Sequence, residues 1–174
     1  MNTPTGFFTY RPLVEATAAR YGYDAALLAA QAHQESGFRA DAVSHAGAEG
    51  LMQFMPETWA EVGKGKSPFD PAANLDAGVR YMLGLLEQFQ DVRIALAAYN
   101  YGAGNVARVA RKAGSWAWEK VSALLPKETQ EYVPSILSLR RFYAAAYGLA
   151  KAALPGALVV VLALAGVVLV RRIA

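Results

Sequence analysis

The residue in this chain best equipped for chemistry is Glu35. It closes the run AALLAAQAHQE, which follows Asp24 and is interrupted by Ser36-Gly37. Leu28, Ala32 and Glu35 fall at i, i+4 and i+7, so a helix puts them on one face and surrounds the carboxyl with apolar groups. The last turn of a helix also presents the negative end of its dipole. Both effects disfavour the charged carboxylate and raise its pKa, which suits a general acid working near neutral pH.

Three further segments carry amides and phenols. Gly50 to Thr58 reads GLMQFMPET, a glycine-released turn that offers an apolar strip with Met52 and one amide, Gln53. A primary amide both donates and accepts, which matches the hydroxyl and acetamido groups of a sugar. Ala98 to Gly104 reads AYNYGAG and sets Tyr99 and Asn100 at a glycine-terminated helix end. Glu128 to Val133 reads ETQEYV, a polar helix turn with one tyrosine, Tyr132. Taken singly, each is compatible with ordinary packing or capping. The chain has no cysteine and two histidines, His33 and His45. A thiolate or histidine-rich metal site is not expected, and neither is a cofactor.

The elements that must position these groups read as helices. Asp24 is a good N-cap for the segment ending at Glu35. Pro56-Glu57-Thr58-Trp59 opens another helix, and KGKSPFDP (residues 64–71) is a turn-rich connection. Asn74 or Asp76 is expected to cap a helix through Val79, Met82, Leu83 and Leu86. Asp91 opens a helix ending at Gly102 and Gly104, Val106 to Ala113 forms the next, and Trp116 and Trp118 lie in a break. A final helix is expected after Pro134. No alternating strand pattern stands out. The predicted fold is all-α.

Length and composition divide the chain unequally. Its 174 residues suffice for one compact domain plus an appendage, and 55% are hydrophobic, with the excess concentrated at the C-terminus. Residues 152–170 read AALPGALVVVLALAGVVLV without a charge, roughly 28 Å of helix and close to a bilayer's hydrocarbon thickness. Tyr143 and Tyr147 precede this run, and Arg171 and Arg172 follow it. We therefore expect a helical domain over residues 1–150 and a transmembrane anchor with a basic tail over 151–174. Arg171 and Arg172 favour a cytoplasmic tail, but Arg140, Arg141 and Lys151 bias the other flank, so charge leaves the orientation open. The opening MNTPTGFFTYRPLVEA has no basic stretch leading into an apolar one, so no secretory signal is expected. The net charge of +3 is mild, and no nucleic-acid motif accompanies it.

In order and spacing, QES (Gln34 to Ser36), GLMQFMPET, AYNYGAG and ETQEYV resemble the soluble-lytic-transglycosylase domain family over roughly residues 10–145. The resemblance implies a lysozyme-like helical fold and cleavage of the β-1,4 bond between N-acetylmuramic acid and N-acetylglucosamine in peptidoglycan. It implies that Glu35 is the single catalytic acid/base and that Ser44 contacts the substrate's acetamido group. It further implies that Met52, Gln53, Tyr99 and Asn100 line the cleft, and that the Tyr132 hydroxyl approaches the catalytic carboxyl. Phe54, where an aliphatic residue is common, and Tyr101, between Asn100 and Gly102, depart from the pattern. The expected reaction is non-hydrolytic and leaves 1,6-anhydromuramoyl ends. A hydrolytic muramidase of the same fold and an inactive peptidoglycan-binding protein are the competing readings. With the anchor inserted in a lipid bilayer, local wall opening from a virion membrane is favoured over an enzyme of the bacterial cytoplasmic membrane.

Overall fold

The computed structural model describes residues 5–148, and the expected transmembrane run lies outside them. Among the described residues, no helix is long and apolar enough to cross a membrane. The described chain is helical, without a named strand: α1 (Thr5–Tyr21), α2 (Ala25–Ser36), α3 (Pro56–Val62), α4 (Pro71–Phe89), α5 (Val92–Tyr101), α6 (Ala103–Ala113), α7 (Trp118–Val121) and α8 (Lys127–Ala146). A single 3-10 turn, Ser122–Leu124, joins α7 to α8.

The architecture is built around α2. Asp24 caps it as expected: one carboxylate oxygen accepts from the Ala26 and Leu27 N–H groups at 2.8 and 3.1 Å. The other accepts from Arg140 Nε on α8 at 2.6 Å, so the cap also pins two helices together. At the far end Gly37 adopts the left-handed conformation (φ 62°), and its N–H reaches the His33 carbonyl. Between these caps Leu28, Ala29, Ala30 and Ala32 are completely buried. Alanines on several faces let neighbouring helices approach closely, and α2 packs most extensively against α8, then against α1. The second buried helix is α5, whose Ile94 to Ala98 are all inaccessible and which packs on α4, α6 and α8.

Helix boundaries depart from the sequence reading in three places. The fourth helix starts at Pro71, not near Asn74 or Asp76, because Asp70 caps it with bonds to the Ala72 and Ala73 N–H groups and Pro71 sits in its first turn. Asn74 is fully buried and anchors a loop instead. Trp118 begins the short α7 where a break was expected. The last helix starts at Lys127 and carries Pro134 in its interior. An interior proline costs about 3 kcal/mol. Thr129, Tyr132, Val133, Ile136, Leu139 and Tyr143 are buried along one face of α8, and their burial against α2 outweighs that cost.

The segment between α2 and α3 forms one wall of the site. It is folded by isolated bridges, Val43 to Glu49 and Glu49 to Phe54, and held from three sides. Ser36 Oγ donates to the Leu51 carbonyl at 2.9 Å. Asn74 Oδ1 accepts from the Met52 N–H at 2.7 Å, while its Nδ2 donates to the Pro68 carbonyl at 2.8 Å. The Tyr99 hydroxyl donates to the Met52 carbonyl at 2.8 Å. At the centre of this clamp, Gly50 has φ 78°, and a Cβ there would lie 2.2 Å from the Pro68 carbonyl oxygen and 2.5 Å from Asn74 Nδ2. Gly50→Ala is therefore expected to destabilise the protein by about 2–4 kcal/mol, through both backbone strain and overlap with backbone. Denaturant unfolding of the two proteins checks this; a loss under 1 kcal/mol contradicts it.

Candidate active site

Glu35 stands in the last turn of α2, partly exposed at the mouth of a cavity of about 400 Å³. Gln34, Asn100, Glu128, Tyr132 and Ser135 line the same cavity. Three helices supply them: α2 gives the acid, α5 the amide and α8 the phenol with its neighbours. The Tyr132 hydroxyl donates a short hydrogen bond to Glu35 Oε1.

Burial pushes the Glu35 carboxyl up to about 7. The bond from Tyr132 stabilises the anion and opposes this rise, and the charge of Glu128 adds to it. A carboxyl in this position keeps its proton near neutrality and still releases it readily. Tyr132 is itself held well above the ordinary phenol value, first by burial and then by the Glu35 charge. It therefore remains a donor throughout the range in which Glu35 titrates. Tyr99 is raised well above its ordinary value for the same two reasons, and its proton is committed to the Met52 carbonyl.

A hydrogen-bonded rim surrounds the acid. Asn100 Oδ1 accepts from Thr129 Oγ1 at 2.7 Å, and its Nδ2 faces Glu128 Oε1 at 3.3 Å. Ser135 Oγ donates to Gln34 Oε1 at 2.6 Å, a second polar tie between α2 and α8. Among the described residues, no group of three His, Cys, Asp or Glu side chains is placed to hold a metal ion.

The structure sorts the sequence-predicted residues into two groups. Glu35, Asn100 and Tyr132 come together around the cavity. Tyr99 stands next to Asn100 and braces the loop wall. Met52 does not line the cleft as expected: its side chain is fully buried, with Cε 2.8 Å from where a Cβ on Gly78 would lie. The apolar strip of this turn faces the core because burying a thioether side chain is favourable and the loop is clamped from beneath. Gln53 is only half available. Its Nε2 donates to the Ala42 and Gly50 carbonyls at 3.2 and 2.9 Å, stabilising the residue's own left-handed backbone (φ 50°) and leaving the carbonyl oxygen as its open group. Ser44 is half-buried outside this cavity, its Oγ accepting from the Ala48 N–H at 2.9 Å. Four lining residues escaped the sequence reading. Gln34, Glu128 and Glu131 lay inside quoted motifs as unassigned polar positions, while Ser135 had no signal beyond its spacing from Tyr132.

A helical domain with one proton-holding carboxyl group, set in an open polar cleft and addressed by a phenol from a distant helix, has the form of a general-acid catalyst. The Transglycosylase SLT domain family model matches residues 12–121, and the chain belongs to that family. It is 37% identical over 145 residues to membrane-bound lytic murein transglycosylase C of Haemophilus influenzae, covering 73% of this chain and 41% of that protein. It is 36% identical over 155 residues to membrane-bound lytic murein transglycosylase F of Desulfosudis oleivorans, covering 82% and 32%. The chain thus spans less than half the length of these curated relatives. Among solved structures, the lytic transglycosylase Slt of Pseudomonas aeruginosa, studied as an inactive mutant, superposes with a TM-score of 0.72 at 28% identity. That likeness covers 82% of this chain and 25% of the other.

Two outcomes follow from the electrostatics. Tyr132→Phe removes the donor that favours the anion, so the Glu35 pKa is expected to rise above about 7; a carbon-13 titration of the Glu35 carboxyl that shows a fall contradicts the assignment. A carboxyl with a higher pKa folded than unfolded supports the fold while protonated. Its contribution is complete below pH 4.5 and declines as pH rises through about 7. Glu35→Gln removes that decline. The variant is expected to be more stable than the parent at pH 8 by on the order of 2–3 kcal/mol, with the gap closing below about pH 4.5. Thermal unfolding at the two pH values reads this directly.

Proposed function

We propose that this chain is a peptidoglycan lytic transglycosylase, cleaving the β-1,4 bond between N-acetylmuramic acid and N-acetylglucosamine without consuming water. The observation that carries the reading is the Glu35 carboxyl, pushed up to about 7 and hydrogen-bonded by Tyr132 at the mouth of a cavity. The family membership and the printed names of the relatives support the same substrate.

In the mechanism, protonated Glu35 gives its proton to the glycosidic oxygen as the bond from that oxygen to C1 breaks. Positive charge develops on the ring, and the substrate's own N-acetyl oxygen stabilises it. Glu35, now a carboxylate steadied by the Tyr132 hydroxyl, takes the proton from the C6 hydroxyl. O6 then bonds to C1, closing a 1,6-anhydro ring and returning Glu35 to its starting state. One carboxyl serves as acid and then as base, where most glycosidases need a pair at a set separation. Asn100 and the open carbonyl of Gln53 are suited to amide and hydroxyl groups of the glycan. Ser44 needs a movement of its loop to reach the acetamido group.

A second reading has one observation in its favour. Glu128 lines the same cavity and could serve as a base for water, making the chain a hydrolytic muramidase. Its engagement with Asn100 at the rim favours a positioning role. Tethering through residues 152–170 accords with the relatives' names, which include the words membrane-bound. The virion setting gains no support from those names, and capsid genes beside this one are the finding that would favour it.

Product mass decides the chemistry. Muropeptides released by the full chain are expected to be lighter by one water than hydrolytic products, and reducing-end muramic acid as the sole product refutes the lyase mechanism. Glu35→Gln is expected to lower turnover at least ~10³-fold with sacculus binding retained. Glu128→Gln is expected to leave the anhydro product class unchanged. Activity should decline as pH rises past about 7, where the acid loses its proton.

A further inference from the structure

A second cavity, of about 380 Å³, lies on the other side of the α5–α6 elbow. Ala103, the first residue of α6, lines it, whereas Asn100 three positions earlier lines the catalytic cavity. Tyr99 stands between the two. Its ring meets Tyr81 of the second cavity edge-on at 5.5 Å between centroids, and its hydroxyl is near enough to Glu35 to feel that charge. The two cavities therefore flank one short stretch of chain.

The second cavity contains a cation held in place. Arg80 Nε donates to Asp76 Oδ2 at 2.9 Å and its Nη2 to the Val62 carbonyl at 2.8 Å. Nη1 has no protein partner among the described residues, and the side chain is 25% exposed. Asp76 is shared with Arg20 and with the Tyr21 hydroxyl, so one carboxylate faces two guanidinium groups. The cluster keeps a net positive charge and an orientated donor edge, the arrangement that favours a carboxylate. The charges opposing it are Glu61, which raises the Tyr81 pKa, and the exposed Glu87 on α4. Gln88 adds an amide, and Leu85 and Tyr81 supply an apolar floor.

Gly84 points to a ligand independently. It lies in the interior of α4, where glycine is unfavourable relative to alanine, and it lines this cavity. On the same helix Gly78 is required by packing, since a Cβ there would strike Met52. At Gly84 a Cβ would meet nothing within 4 Å. No neighbour demands this glycine, and what it preserves is empty volume beside Arg80.

We propose that this second cavity is a binding site for the acidic peptide stem of peptidoglycan, with the Arg80 Nη1 edge receiving a stem carboxylate and Gly84 keeping the floor open. The proposal rests on the wall polymer being the substrate. It makes the α5–α6 elbow the divider between a pocket that cuts the glycan and a pocket that reads the peptide on it.

The test uses the full chain and a synthetic stem peptide containing γ-linked D-glutamate, titrated by calorimetry. Gly84→Leu fills the cavity from an uncrowded position, and Arg80→Met removes the donor edge. Both are expected to weaken peptide binding at least tenfold, while Gly84→Ala raises Tm. No binding to the parent, or undiminished binding to Gly84→Leu, overturns the proposal. On stem-bearing sacculi, Gly84→Leu is expected to raise KM with kcat retained, and on glycan strands stripped of stems by an amidase it should match the parent. An equal change on both substrates also overturns it. If the parent cleaves neither substrate, the wall-cleavage reading fails, and the peptide titration alone decides the cavity.

Discussion

Keeping the carboxyl of Glu35 out of bulk water is the constraint on which the rest of the domain turns. A rise from 4.5 to about 7 corresponds to on the order of 3 kcal/mol of disfavoured ionisation at neutral pH. That is a substantial share of the roughly 5–15 kcal/mol by which a domain is stable. The burial of α2 offsets it. Alanine-rich surfaces let α8 and α1 close on this helix, and the Asp24–Arg140 contact fixes the register of α2 against α8. A single phenolic donor then meets the carboxyl. More donors would stabilise the anion and lower its pKa, so the sparse hydrogen bonding at Glu35 is part of what makes it an acid.

The wall opposite is rigid for a different reason. The segment from Phe38 to Met55 has almost no regular structure, yet three polar anchors hold it: Ser36 from α2, Asn74 from α4 and Tyr99 from α5. Buried polar groups are stable only when paired, and here the pairing joins side chains of three helices to backbone groups of the loop. This explains the divided roles of the GLMQ turn. Met52 contributes its backbone to the clamp and its side chain to the core, and Gln53 spends its amide hydrogens bracing a left-handed backbone. The cleft thus has one wall of helix ends bearing chemistry and one wall of clamped loop.

Much of this was legible along the chain. Asp24 with its following apolar run, the Gly37 stop and the Asp91 cap locate two buried helices through rules that act over four or five residues. The face shared by Leu28, Ala32 and Glu35 indicated an apolar setting for the acid. The start of α8 was hidden because Pro134 is a local breaking signal overruled by burial of six side chains against α2. The true cap of α4 was hidden inside a turn-like run, where Asp70-Pro71 reads equally as loop or as helix start.

What the sequence determined by itself is therefore local in origin: helical content, most caps, the position of the acid at a helix end and the types of group near it. Only the tertiary structure decided which of those groups meet. Tyr132 reaches Glu35 across 97 residues, and Asn100 joins Glu128 and Thr129 across 28 and 29. Met52, in the same motif as Gln53, turns inward. Periodicity and capping chemistry are set by neighbours in sequence. The pairing of a carboxyl with a phenol from a distant helix is set by how closely two packed helices approach, and no local rule carries that distance.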